Sequence, residues 1–468
     1  MKIPAALTPL QLAAIAFGAI VLGHALEMRD GFYDPVALRW ALLAAVCVLA
    51  GTARVGVGRW RGSESMLAGV LVAGLVSGLL ALATQPVGMY LVHPEPARHP
   101  WFLAGLAGAT VSIVLIAWDP ARARSTWFPA LLVTYGSLGV WLIHASPRPH
   151  IDVMTVFREA LNAVGELKSP YSITFPNIYD NTALYGEGLV VNGRVQFGFP
   201  YPPLSLLMAA PAYALHGDVR YAELAALLAG AAFIGSSARG RVAPLAAAGL
   251  LFTPRTFFVL EQAWTESLVI CWAGLTVWAA ARARAPERSP GPNGAAMRGV
   301  ALGLLLAVKQ HLAIALLLAG WLRRSDESGR TTWRLLIVAA AVAVGVTLPF
   351  VIWDPGGVWR SVVILQVREP FRADSLSVLS YFASNGWQPT PRVLLAAPLG
   401  ALSAGLAVGW WRLPRTAAGF AVGLGVSFLL LFLFSKKAFC NYYFLVIALL
   451  MAGVAAGSAE LSSEDREG

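Results

Sequence analysis

The sequence predicts an all-α, polytopic transmembrane helical bundle with interfacial helices in its first long outer loop. Three observations predict it. Of 468 residues, 57% are hydrophobic and 13% charged, and the mean hydropathy is +0.65, far from the charge-rich balance of soluble domains. Apolar runs of about 20 residues, each long enough to cross roughly 30 Å of hydrocarbon as a helix, recur from end to end. The short alternating strands of a membrane barrel are missing.

The net charge of +10 does not point to nucleic acid, because the arginines sit in short loops between apolar runs, where they orient a membrane protein. Cys47, Cys271 and Cys440 lie in or beside apolar runs and suggest neither a disulfide framework nor a zinc site.

Met1-Lys2 precedes an apolar run to about Leu26, read as an uncleaved first span because more spans follow and no clean cleavage site stands out. Arg54, Arg59 and Arg61 follow the second run, and Arg122 and Arg124 the fourth, which assigns those loops to the cytoplasm. The fifth run, Trp127 to Ala145, then delivers the chain to the outer face. There begins the longest polar interval, an outer loop over 146–200, with Asp152 near its start. From Ile151 to Lys168 the apolar positions Val153, Met154, Phe157, Ala160, Leu161 and Val164 recur at helical spacing. This helix should lie along the interface and fix Asp152 at the boundary of water and lipid.

The stretch from Tyr201-Pro202-Pro203 to about Leu215 is short for a crossing. Read as re-entrant or interfacial, it leaves Arg239, Arg241, Arg282, Arg284, Arg288 and Arg298 inside. Spans at about Val219–Ser237, Ala243–Phe258 and Gln262–Ala281 put Arg255 and Glu261 outside. Gly299 to Trp321 has Arg298 at one end and Arg323, Arg324, Arg330 and Arg334 at the other. Two half-helices meeting near Lys309-Gln310-His311 satisfy the charge rule; a single helix with Lys309 snorkelling or buried is the alternative.

Leu335 to Trp353 leads into a second outer loop over 354–391. Spans at about Val393–Trp411, Ala417–Phe434 and Phe439–Gly457 close the chain, and their alternation puts Lys436 and Lys437 outside, against the positive-inside bias. An anionic ligand explains that pair better than topology does, with interfacial anchoring as the plain alternative. The expected organisation is extra transmembrane helices over 1–126, a catalytic core over 127–458 and a frayed cytoplasmic tail over 459–468.

The outer-face inventory is one early carboxylate, Asp152, with the cations Arg255, Arg368, Arg372, Lys436 and Lys437, joined by Lys309. Arginine binds phosphate bidentately, lysine serves as a point charge, and an isolated carboxylate can take a proton from a hydroxyl. No Walker loop, HExxH, GxSxG or acid pair beside Asp152 occurs, so neither metal nor cofactor is expected. Plainer readings stand beside these: Asp152 as a helix N-cap, Tyr201-Pro202-Pro203 as a helix start, Glu261, Gln262 and Glu266 as first-turn residues favouring the dipole, and Arg368, Arg372 and Asp374 as mutual ion pairs.

Taken in order, Ile151-Asp152-Val153 with Phe157, Ser169-Pro170-Tyr171, Tyr201-Pro202-Pro203-Leu204, Gly303 through Lys309, Pro349-Phe350 with Trp353-Asp354-Pro355, Arg372 with Asp374-Ser375-Leu376-Ser377, and Asn441-Tyr442-Tyr443 resemble glycosyltransferase family 87 of the GT-C superfamily. The resemblance covers roughly Trp127 to Gly457; the four runs before it depart from the family pattern, in which the acidic loop follows the first span. It implies a GT-C-like fold and inverting transfer of mannose or another hexose or pentose from a polyprenyl-phosphate donor. The acceptor would be a hydroxyl of a lipid-linked or cell-envelope glycan or glycolipid. Asp152 would be the general base, the six cations would hold the donor phosphate, and Tyr171, Tyr201, Glu261, Gln262, Glu266, His311, Asp374, Asn441 and Tyr442 would contact substrate. A flippase or transporter of a lipid-linked glycan is the rival reading, since broken helices and buried cations suit carriers too; a non-enzymatic membrane subunit is a third.

Overall fold

Where apolar residues recur without interruption, the backbone has only its own carbonyls to bond, and helices result. The computed structural model describes residues 6–53, 63–93, 95, 99–284, 294–324 and 326–467; Arg54, Arg59, Arg61 and Arg288, expected on the cytoplasmic side, lie outside them. Seven of the described helices are long and apolar enough to cross a membrane: Pro9–Glu27, Glu64–Thr84, Pro100–Trp118, Ala123–Ala145, Gly329–Trp353, Pro391–Arg412 and Cys440–Leu461. Shorter apolar helices, Pro35–Gly51, Val242–Leu251, Gly294–Val308, Gln310–Leu322 and Ala417–Leu433, fill in between them. The protein is an all-α, multi-pass membrane bundle.

Local signals set the helix starts. Thr8 and Gln11 form a capping box ahead of Pro9, and Asp34 accepts from the amides of Val36 and Ala37 with Pro35 in the first turn, so the exposed donors of both N-termini are satisfied.

The N-terminal segment, expected as an addition, is built into the bundle. Pro9–Glu27 packs against Pro35–Gly51, Ser63–Thr84 and the last helix, and that last helix is described to Glu467, past the tail boundary expected from the sequence. The turn after the first helix is fastened to the second outer loop by the Tyr33 amide, which donates to the Asp374 carbonyl at 2.8 Å.

The chain breaks at Lys309. Gly294–Val308 is α-helical, Lys309 is extended (φ −154°, ψ 135°), and Gln310–Leu322 follows as a 3-10 helix. The far ends of the two arms are clamped together: buried Arg298 donates to Glu327 at 2.6 and 3.0 Å and to the Leu322 carbonyl at 2.8 Å. Lys309 is therefore the tip of a hairpin. Its first arm lies on Gly329–Trp353, where a Cβ at Gly299 would stand 2.7 Å from the Leu335 carbonyl oxygen and one at Gly303 2.6 Å from that of Ala339. This small-xxx-small contact lets two backbones approach without bulk between them.

Around the base of the hairpin the arginines converge. Arg284 donates to the carbonyls of Trp321, Arg323 and Arg415, and Arg324 to that of Ala283, placing the loops rich in arginine at one end of the bundle. Asp152, the Lys309 tip and Lys437 are at the opposite end, around one cavity.

One expected element comes out differently. The run expected to span Ala243–Phe258 is broken into Val242–Leu251 and the short helix Thr256–Glu261, because Arg255 adopts a left-handed backbone (φ 67°). Pro203–His216 forms a separate helix that stays at the cavity end, where Tyr213 donates to Asn162 of the Asp152–Gly165 helix at 2.9 Å. The first outer loop also holds a three-stranded antiparallel sheet of two-residue strands, Phe175–Pro176, Arg194–Val195 and Val190–Val191 in spatial order, too short to carry a periodic signal.

Candidate active site

Asp152 is the first residue of the amphipathic helix Asp152–Gly165. It is not the N-cap: that position is Ile151, which makes no side-chain capping bond. Its place is set from behind, where fully buried Arg220 donates to the carbonyls of Ser146 and Ile143 at 2.8 and 3.4 Å and pairs with Asp218. A cation on these last carbonyls suits the negative end of the Phe128–Ala145 helix. It fixes where the chain leaves the bundle, six residues before the acid.

The half-buried Asp152 carboxylate faces a cavity of about 680 Å³, within the size range of small-molecule sites. Tyr185 donates to its Oδ2 at 3.2 Å and Tyr179 to its Oδ1 at 3.4 Å, while the Asp152 amide donates back to the Tyr179 hydroxyl at 3.0 Å. Burial pushes the carboxyl up from its usual range, opposed by the charge of Lys437 and by the two phenols.

Opposite lies Lys437, which donates to Glu369 at 2.8 Å. Burial pulls its ammonium down, but Glu369, Tyr442 and Asp152 outweigh that and hold it above the ordinary lysine value.

Four sequence-predicted cations line the cavity, namely Lys309, Arg372, Lys436 and Lys437, and each has a partner. Lys309 is buried against Glu266, with the rings of Tyr201 and Tyr442 each 5.5 Å away. Arg372 pairs bidentately with Asp374 at 2.7 and 2.8 Å. Lys436 donates to the carbonyls of Gln366, Val367 and Glu369, closing the end of a helical stretch, and its burial lowers its pKa. Tyr201, Gln262, His311, Asn441 and Tyr442 line the same cavity. Gln310 Oε1 and His311 Nε2 are buried there with no partner, free to meet a ligand that both donates and accepts.

The remaining predicted residues are placed elsewhere. Arg255 is buried among Glu27 at 3.0 Å, Asp30 at 3.1 Å and the Pro86 carbonyl at 2.6 Å; its charge is satisfied there, away from the cavity lining. Arg368 is exposed and does not line the cavity. Glu261 accepts from the amides of Met89 and Tyr90 at 2.5 and 2.9 Å, fastening the 85–93 loop. Asp374 and Glu266 stand behind the cations they neutralise. Tyr171 is buried and donates to the Tyr201 carbonyl at 2.9 Å.

Tyr171 belongs instead to the join between the outer loops, where Ser169 donates to Asp354 at 3.0 Å and the Gly198 amide to Ser361 at 2.9 Å. Sequence reading missed Phe32, Met89 and Tyr90 from the N-terminal segment, Tyr179 and Tyr185 from the first outer loop, and Glu369 as a cavity residue. Among the described residues, no three His, Cys, Asp or Glu side chains gather as a metal site.

Neither a family model nor a curated protein matches the chain. Among solved structures, the crystal structure of ArnT from Cupriavidus metallidurans bound to undecaprenyl phosphate is similar. The identity is 16% and the TM-score 0.44, over 72% of this chain and 60% of that one. The chain thus spans less than two thirds of the length of that relative.

Proposed function

We propose that the protein is a metal-independent, inverting membrane glycosyltransferase that moves a hexose or pentose, mannose first among them, from a polyprenyl-phosphate donor to a hydroxyl of a lipid-linked or cell-envelope glycan. The observation that carries the reading is the meeting of one half-buried carboxylate, Asp152, with lysines and an arginine in a single cavity. Asp152 lies more than 150 residues along the chain from each of these cations, Lys309 being the nearest.

Asp152 takes the proton of the acceptor hydroxyl as its oxygen attacks the anomeric carbon. Lys437 and Arg372, with Lys309 deeper in, meet the charge that gathers on the departing phosphate; a low-dielectric site makes each such interaction count for more. Leu394, Pro398, Leu431 and Phe432 give one wall of the cavity an apolar surface suited to the isoprenoid part of the donor. Gln310 and His311 offer unpaired polar atoms to sugar hydroxyls. An outer-face location is supported by the arginine-rich loops lying at the end of the bundle opposite the cavity.

The test is incubation of purified protein with a panel of synthetic polyprenyl-phosphate hexoses and pentoses and a cell-envelope glycolipid extract. Release of polyprenyl phosphate with appearance of a glycosylated lipid is expected; no turnover with any donor of the panel would refute the reading.

A further inference from the structure

We propose that Tyr179 and Tyr185 are positioning residues: a loop of the first outer segment folds over the cavity so that their two phenols grip one oxygen each of the Asp152 carboxylate and leave Oδ1 to receive the acceptor's proton. The proposal rests on the reading of Asp152 as general base. A carboxylate at a helix start turns freely about its Cβ–Cγ bond unless something holds both oxygens. Here Tyr185 donates to Oδ2 at 3.2 Å. Tyr179 is itself tied down by the Asp152 amide at 3.0 Å, and its bond to Oδ1 is long, at 3.4 Å. Oδ1 is thus the less committed oxygen. In the step, the acceptor O–H bond breaks and its proton goes to Oδ1. The acceptor oxygen bonds to the anomeric carbon, and the bond from that carbon to the phosphate oxygen breaks with its electron pair leaving on the phosphate.

The loop is built to hold that aim. Its neck is closed by the small sheet, with the Asn177 amide donating to the Gly193 carbonyl at 2.8 Å. Inside it, Asn177 and Asn181 side chains accept from the amides of Tyr179 and Ala183, and Asp180 takes a left-handed backbone (φ 52°), turns of the kind asparagine and aspartate favour. The Tyr179 ring meets His150 edge-on at 5.7 Å, and Tyr185 packs on Phe197 at 6.2 Å. At Gly186 (φ 98°) a Cβ would stand 3.2 Å from the Arg368 carbonyl oxygen, so the loop also leans on the segment that carries Glu369.

Other groups act on the same carboxylate or on its two phenols. Lys437 is the main opposing charge, held in turn by Glu369. Tyr90 and Tyr201 feel the Asp152 charge, Arg372 acts on Tyr185, and Tyr90 donates to the His150 carbonyl. Deleting a phenolic oxygen leaves the Lys437–Glu369 pair and the bond from Tyr90 to the His150 carbonyl in place.

The experiment compares wild type, Tyr179→Phe, Tyr185→Phe and the double variant, reading kcat and donor KM across pH. Hydrogen bonds to an ionised carboxylate favour its charged form, so their loss should move the acid limb of kcat up by about one pH unit in the double variant. At neutral pH kcat should fall about tenfold with donor KM changed by less than about twofold. A merely structural role would lower yield or thermal stability and leave the limb in place. A folded double variant with an unmoved acid limb overturns the proposal, and should the double variant not fold, an unmoved limb in Tyr185→Phe does the same. Asp152→Asn separates the two ideas: if it stays active the base assignment fails, whereas if it is inactive and the tyrosine variants keep the wild-type profile only the positioning role fails.

Discussion

Lys437 donates to Glu369 at 2.8 Å while acting as the main opposing charge on the half-buried Asp152 carboxyl. One ammonium therefore stands between the carboxylate that would remove a proton and the carboxylate that holds the ammonium in place. A donor phosphate settling beside Lys437 would offset part of the charge that this ammonium presents to Asp152.

Lys437→Glu should therefore raise the donor KM more than about tenfold, since reversing the charge replaces attraction by repulsion in a partly desolvated site. Lys436→Ala should change it little, because the Lys436 ammonium is spent on three backbone carbonyls. Steady-state kinetics with varied donor checks both, and an unchanged KM in Lys437→Glu would remove Lys437 from the phosphate site.

The pH profile follows from the same geometry. Only the ionised Asp152 can accept a proton, and burial raises its pKa above the usual carboxylate value. Activity should be lost on acidification at a higher pH than an exposed aspartate, near 4, would impose. A kcat profile flat down to pH 4 would speak against Asp152 as the base.

Arg255 offers a contrast between stability and catalysis. Its guanidinium neutralises Glu27 and Asp30 behind the site, and removing one partner of a buried ion pair costs about 3–5 kcal/mol. Arg255→Ala should lower the thermal midpoint sharply while the folded fraction keeps the wild-type donor KM. A raised KM with unchanged melting would return Arg255 to the binding site.

Gly303 tests the hairpin. A leucine there would drive its side chain into the Ala339 carbonyl and Val342, and overpacking of this kind costs about 1–3 kcal/mol. Gly303→Leu should lower both the melting temperature and kcat by shifting the arm that ends at Lys309, whereas Gly345→Leu, with open space around its Cβ position, should do neither.

Much of this arrangement was legible in the sequence. Arginines at both ends of 299–321 favoured two half-helices over a single span with a buried Lys309, and the structure turns at Lys309. The helical period after Ile151 gave the amphipathic helix and put Asp152 at its start. Tyr179 and Tyr185 were illegible because they sit in an aperiodic loop whose fold depends on asparagine turns and a two-residue sheet. Arg255 read as a ligand cation because its acids, Glu27 and Asp30, lie more than 220 residues away in the chain. The break at Phe252–Arg255 is marked in the sequence by Thr253-Pro254-Arg255, a helix-breaking signal that the apolar residues on either side outweigh when the run is read for membrane length alone.

Asp152 is the proposed base, and the most direct measurement of that role is single-turnover transfer by wild type and Asp152→Asn at saturating polyprenyl-phosphate sugar, with donor binding measured in parallel. General-base assistance is worth about 10²–10⁴ in rate, so the variant should lose transfer by that factor and keep its donor affinity. Transfer at the wild-type rate by a folded, donor-bound Asp152→Asn protein would contradict it.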